Sequence, residues 1–186
     1  MNHHIFRTTG GIWPVGVPTS LTWFDIGAIL HILHVARIRA CVEIGVEHGG
    51  LAGQLRAYGH YTGMAYRGYD ITLGELHPVI AADNLDVIHQ RDAHQQRTIA
   101  EVQAWIGQQA APALIFCDGL GKPAELQMYA PLIRSGDVLL GHDYGNEYQD
   151  DALEGMPAHL ERVRPDWLDV TLLCLFVPRG EADRWR

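Results

Sequence analysis

Five short apolar runs, each stopping at a glycine turn or an aspartate, constrain this chain more than any other feature. They read CVEIGV, GMAYRGYD, LDVIHQRD, PALIFCDG and GDVLLGHD. Between them stand stretches with helical spacing: LAGQLRAYG, ELHPVIAADN, QQRTIAEVQAWIGQQ and AELQMYAPLIR. Strands separated by helices pair in parallel, because parallel strands need a long crossover and that crossover is right-handed. The pattern therefore predicts a Rossmann-like, doubly wound, mostly parallel α/β sheet with helices on both faces. Ligands of such sheets sit at the carboxyl ends of the strands, where these aspartates fall.

The flanks are less regular. Residues 1–18 mix His, Gly, Pro and aromatics without period and are expected to form an irregular arm, leaving 19–186 as a single domain. Thr19 and Ser20 are candidate caps for a helix over LTWFDIGAILHILHVARIR, which is apolar nearly all round and so expected to be covered on most sides. The last stretch, from Asp150 to Gly180, suggests one more helix and a β-rich run, broken at Pro165. A net charge of −8 gives no general attraction to nucleic acid or to an anionic membrane. Cys41, Cys117 and Cys174 are odd in number and set in apolar surroundings, which predicts buried thiols rather than a disulfide framework or a zinc site. No apolar run approaches the roughly 18 residues of a membrane span. Together these features predict a soluble, cytoplasmic protein with a small-molecule partner, and leave a homo-oligomer open.

Glu43, Gly45 and Gly49 form the pattern ExGxxxG where the first strand hands over to a helix, with Glu47 inside the turn. Missing side chains there let backbone approach a ligand, and the helix N-terminus favours a negative group. The dinucleotide fingerprint GxGxxG lacks its middle glycine here, and no Tyr-x-x-x-Lys pair accompanies it, which disfavours a nicotinamide-dependent oxidoreductase. Asp70 ends the second apolar run at the distance where an acid accepts hydrogen bonds from ribose hydroxyls. Asp92 ends the third and is placed to meet an adenine edge. A plain tight turn and ordinary turn-forming aspartates account for the same residues.

VEIGVEHGG, YRGYD, QRDA, IFCDG and YAPLIRSGDVLLGHDYG together resemble the class I S-adenosylmethionine-dependent methyltransferases, over residues 40–145. Within that superfamily the pattern is most similar to the small-molecule and sugar O-methyltransferases grouped with rhamnosyl methyltransferases and cephalosporin-hydroxylase-like proteins, whose fourth strand ends in DG and fifth in HD. The resemblance implies S-adenosylmethionine as cofactor, with Glu43, Gly45 and Gly49 on its methionine and ribose side, Asp70 on the ribose and Asp92 beside the adenine. It also implies a divalent cation, magnesium or another, held by Asp118, His142 and Asp143 against a substrate hydroxyl. His142 stands where metal-using relatives carry another acid, and as a softer ligand it favours transition metals. The same three residues serve equally as turn formers and helix caps.

Asp118 and His142 are the candidate catalytic residues, one as proton acceptor and the other as orienting group. The resembled family follows its DG pair closely with a histidine, a candidate base, whereas this chain reads CDGLGKPAEL. Lys122 in that segment precedes a proline at a helix start and is expected to be a solvated surface residue. His48 in the turn is a weaker candidate. Two readings stay open: O-methylation of a sugar or other small hydroxylated acceptor, and a catalytically silent methyltransferase-like fold serving as a structural or assembly module.

Overall fold

Thr22, rather than Thr19 or Ser20, opens the first helix in the computed structural model, which describes residues 17–185. Its hydroxyl accepts the Asp25 N–H at 3.2 Å, while the Asp25 carboxylate accepts the Thr22 N–H at 2.9 Å. That reciprocal pair needs an acid three residues after the cap. Thr22 has Asp25 there, and Ser20 has only Trp23. Helix α1 (Trp23–Val35) buries Ile26, Ile29, Ile32 and Leu33 on one side and leaves Trp23 and Phe24 about half exposed. It is therefore covered on one face, not on most sides as its composition suggests. The arm expected over residues 1–18 lies outside the described residues except for Val17 and Pro18, of which Val17 is buried in the core.

The alternating pattern then folds as expected: β1 (Ala40–Ile44), α2 (Gly50–Thr62), β2 (Ala65–Asp70), α3 (Pro78–Asn84), β3 (Ile88–Gln90), α4 (Gln96–Gln108), β4 (Ala113–Cys117), α5 (Lys122–Tyr129) and β5 (Val138–Gly141). The sheet is completed by β6 (Leu160–Val163) and β7 (Cys174–Pro178), in the order β3-β2-β1-β4-β5-β7-β6. The first five strands are parallel, β7 runs antiparallel to β5, and β6 antiparallel to β7. Side chains alternate across each strand. Cys41, Leu114, Phe116 and Leu140 thus pack under α1, α2 and α3, while Val42, Ile44, Ile115 and Leu139 pack under α4 and α5. Helices cover both faces.

Register decides where the strands end. Ile44 lies opposite Tyr69 on one side and Cys117 on the other, and Cys117 lies opposite Gly141. Gly45, Asp70, Asp118 and His142 therefore leave the sheet along one rim. Strand order reverses between β1 and β4, which opens the crevice characteristic of this sheet type.

One expectation fails. The helix expected before Pro165 is strand β6, flanked by 3₁₀ turns at Asp150–Leu153 and Asp166–Leu168. Pro157 and Pro165 leave only seven residues between them, too few to form a helix that sustains itself. Pairing with β7, from Leu160↔Pro178 to Val163↔Leu175, supplies the backbone partners instead. Cys41, Cys117 and Cys174 are free and buried, on β1, β4 and β7. Among the described residues no helix is long and apolar enough to cross a membrane.

Thr22→Ala removes the hydroxyl that caps α1 and should cost about 1 kcal/mol in chemical denaturation. Thr22→Ser, which keeps that hydroxyl, should recover most of the loss.

Candidate functional site

A cavity of about 580 Å³ opens over the rim formed by β1, β2, β4 and β5. Its floor at β1 is the glycine turn. Gly45 has a φ of +85°, and a Cβ there would stand 2.5 Å from the carbonyl oxygen of Asp118, so the position takes glycine for both conformation and space. The Asp70 carboxylate holds this turn in place. Its Oδ2 accepts the N–H groups of Val46 at 2.8 Å and Glu47 at 2.9 Å, and its Oδ1 accepts the Thr72 N–H at 3.0 Å.

Glu43, Gly45, Glu47, Asp70, Asp92, Asp118, His142 and Asp143 all border the cavity. Gly49 does not. It lies at the start of α2 with a φ of +83°, and a Cβ on it would meet the Ile80 side chain of α3 at 2.7 Å, so its bareness serves helix packing. His48 also misses the cavity and bonds through Nδ1 to the carbonyl of Glu75. Glu47 reaches the hydroxyl of Ser20 at 2.6 Å. Asp92 forms a turn of its own, its carboxylate accepting the His94 N–H at 2.9 Å just before α4.

Beneath the turn, Glu43 is fully buried and bonded to the Tyr66 hydroxyl. Burial pushes its carboxyl up to about 8, the Tyr66 bond opposes this, and the nearby charges of Asp118 and Asp70 add to the rise. Glu43 is therefore protonated at neutral pH.

The far end of the cavity carries a charged cluster at the ends of β4 and β5. His142 is buried, with Nδ1 at 3.0 Å from Asp118 Oδ1 and 3.4 Å from Asp143 Oδ2, and Nε2 facing Asp25 Oδ2 at 3.6 Å. Burial alone would discharge the ring. The carboxylates of Asp118, Asp143 and Asp25 outweigh it and hold the imidazole as a cation, its pKa pushed up to about 12. Burial raises the Asp118 carboxyl above the usual carboxylate range despite the hydrogen bond from His142. Asp143 moves the other way, because His142 and Lys122 overcome its burial. Its backbone takes a left-handed φ of 60°, rare for a residue with a side chain.

Lys122 is the main correction to the sequence reading. It is buried, not solvated, and its Nζ lies 2.8 Å from Asp143 Oδ2, 2.9 Å from Glu147 Oε2 and 3.8 Å from Asp118 Oδ1. Burial works against its charge, and the bonds to Asp143 and Glu147 prevail, so it stays an ammonium ion. Asp25 and Glu147 were also absent from the sequence reading. Asp25 carries only the signature of a capping acid, three residues after Thr22, and Glu147 none.

No family profile and no curated protein matches the sequence. Solved structures do match in three dimensions. CmcI with magnesium and S-adenosylmethionine superposes with a TM-score of 0.59 at 22% identity, over 72% of this chain and 57% of that one. CmcI with S-adenosylhomocysteine gives 0.56 at 21% identity, over 73% and 68%. The chain shares the Rossmann-like α/β fold of these structures. A third match is the mycinamycin-pathway methyltransferase MycE with magnesium, S-adenosylhomocysteine and mycinamycin VI, with a TM-score of 0.50 at 15% identity over 83% of this chain and 47% of MycE. The chain thus spans little more than half the length of the CmcI chain first named.

The buried Glu43 generates a stability test. The unfolded chain ionises this carboxyl near 4.5 and the folded protein only near 8, so between those values the folded state holds the extra proton and stability falls as pH rises. Above about 8 that loss is complete. Glu43→Gln keeps a carbonyl oxygen for Tyr66 and removes the ionisation. Denaturation measured across pH 4.5 to 8 should show a shallower decline in the variant; equal slopes would mean that Glu43 is already ionised in the fold.

Proposed function

We propose that the chain is an S-adenosylmethionine-dependent methyltransferase acting on an oxygen of a sugar or other small hydroxylated acceptor. The observation that carries this reading is the division of one cavity along the sheet order. The glycine turn, Asp70 and Asp92 stand at the β1-β2-β3 side, and Asp118, His142 and Asp143 at the β4-β5 side. The cavity volume suits a ligand of this size. Helix α2 begins without a side-chain cap, leaving its first N–H groups available to a ligand. A carboxylate offers about four acceptor directions. Asp70 uses two of them on the turn and one on the Thr72 amide, so one remains for a ribose hydroxyl.

Bound there, the cofactor supplies an electrophilic methyl group on a sulfonium sulfur. Asp118 is the proton acceptor in this reading, because burial makes it more basic than an ordinary carboxylate while it still borders the cavity. With the cofactor bound, Asp118 would take the acceptor's O–H proton, and the cofactor would supply the methyl group to that oxygen and keep the bonding pair. His142 is already a cation and takes up no proton; it fixes the Asp118 carboxylate. Of the acidic and aromatic segment after β5, Glu147 borders this cavity, whereas Tyr148 is buried and Tyr144 bonds Asp150 and Arg162 beside a second cavity.

Asp118, His142 and Asp143 place their donor atoms within 4.8 Å of one another, the spacing of a metal-binding trio. The Asp143 oxygen nearest the others holds Lys122, and the Asp118 oxygen holds His142. The donor set as it stands is engaged by the protein's own cations, and no step above runs through a metal.

The catalytically silent reading draws on the segment after Asp118, Gly-Leu-Gly-Lys, which lacks the family histidine. A Cβ at Gly121 would meet the partly exposed His94 ring at 2.9 Å, so a histidine there requires that ring to shift. Calorimetric titration separates the readings. S-adenosylhomocysteine should bind and NAD should not; binding of NAD alone would overturn the assignment. Asp70→Ala should weaken the former by about 1.5–3 kcal/mol, with circular dichroism confirming the fold, because the variant also frees the turn. Binding without methyl transfer to any of a panel of hydroxylated acceptors would favour the silent module.

A further inference from the structure

We infer that Lys122 is the resident cation of the charged cluster, its ammonium taking among Asp118, Asp143 and Glu147 the position in which a divalent ion would bind. The assignment rests on the ion-pair geometry. Asp143 Oδ2 and Glu147 Oε2 lie within 3 Å of Nζ, and Asp118 Oδ1 lies 3.8 Å away. Asp118 and Asp143 are the two carboxylates of the trio whose spacing matches a metal site. Nothing in local structure favours a lysine here: it is the first residue of α5, where the helix dipole opposes a positive charge. Its side chain is only 8% exposed, and a buried ammonium persists only where acids surround it.

The third member of the trio points the same way. Nδ1 of His142, the nitrogen nearest Asp118 and Asp143, is taken by Asp118 at 3.0 Å and presents no free lone pair to a metal among them, while Nε2 faces Asp25 at 3.6 Å and makes no hydrogen bond. Between them, Lys122 and His142 oppose the repulsion among the acids at this rim, the task for which a divalent ion would otherwise be required.

The geometry also leaves Lys122 something to do. Of its three N–H groups, two are taken by Asp143 and Glu147. Asp118 stands beyond hydrogen-bond range of the third. An acceptor oxygen between Lys122 and Asp118 would receive that N–H while giving its own proton to Asp118. The ammonium keeps its protons throughout and stabilises the oxygen's developing charge. This role toward the acceptor rests on the methyltransferase reading, whereas the occupancy of the cluster does not.

The test is a titration of the full chain with Mn²⁺, reading free ion by electron paramagnetic resonance and thermal stability in parallel. The wild type should show no Mn²⁺ site at the cluster, and its Tm should be unmoved by Mn²⁺ or by chelator. Lys122→Ala should gain a one-to-one site, on the order of tenfold tighter or more than anything in the wild type, with a Tm raised by the ion. Adding Asp143→Asn to that variant should abolish the gain. Wild-type binding that disappears in Asp143→Asn would overturn the inference, and so would a folded Lys122→Ala that binds no Mn²⁺. If Lys122→Ala does not fold, Lys122→Gln takes its place, and the wild-type titration decides by itself. S-adenosylhomocysteine calorimetry on the same samples keeps the two readings apart: its failure would count against the methyltransferase assignment and leave the Mn²⁺ result standing.

Discussion

The imidazolium of His142 lies buried between Asp118 at the end of β4 and Asp25 from helix α1, with Asp143 beside it. Asp25 in turn caps α1 through Thr22 and accepts the N–H of Leu172, two residues before β7. One charged ring thus joins the first helix, the ends of β4 and β5 and the approach to the antiparallel edge. A buried ion pair is weak evidence of net stability, yet removing one partner leaves an uncompensated charge and costs about 3–5 kcal/mol. The cluster's geometry is therefore tied to the integrity of the fold. Its acids keep their spacing because α1 and β7 cannot move without breaking Asp25 from its partners.

The parallel half of the sheet was legible because β1, β4 and β5 are buried along their whole length and read as short continuous apolar runs, and each of the five runs is closed by a glycine or an acid. Level register then brings those closing residues together, so reading strand ends amounted to reading the rim. The antiparallel half was not legible. LERV has no strand signal of its own, with Glu161 and Arg162 side by side, and becomes β6 only because β7 offers it partners. The cap at Thr22 was a finer miss: three hydroxyl residues stand within four positions, and the acid at Asp25 selects among them.

At the site, spacing placed Glu43, Gly45, Asp70, Asp118 and Asp143 on the cavity, since each lies within two residues of the carboxyl end of a strand. Gly49 stands off the cavity, and glycine is required there both by its φ of +83° and by Ile80 on a neighbouring helix, a contact no local pattern carries. Lys122 was the larger miss. A lysine before a proline reads as surface, and only the convergence of β4, β5 and the segment bearing Glu147 turns that position inward. Asp70 borders the cavity, and its carboxylate also holds the Val46 and Glu47 amides, which no spacing in the sequence announces.

The three cysteines give the sheet a property of a different kind. Cys41 faces the side covered by α1 to α3 and Cys117 the other, both shut off from solvent, while Cys174 is buried at the edge of a second cavity. Burial raises every one of these thiols above its ordinary range, so none is a ready nucleophile in the folded state. An alkylating reagent can reach Cys41 and Cys117 only when a helical layer lifts from the sheet. Their labelling rates therefore act as intrinsic clocks for the opening of each layer, with Cys41 timing one and Cys117 the other.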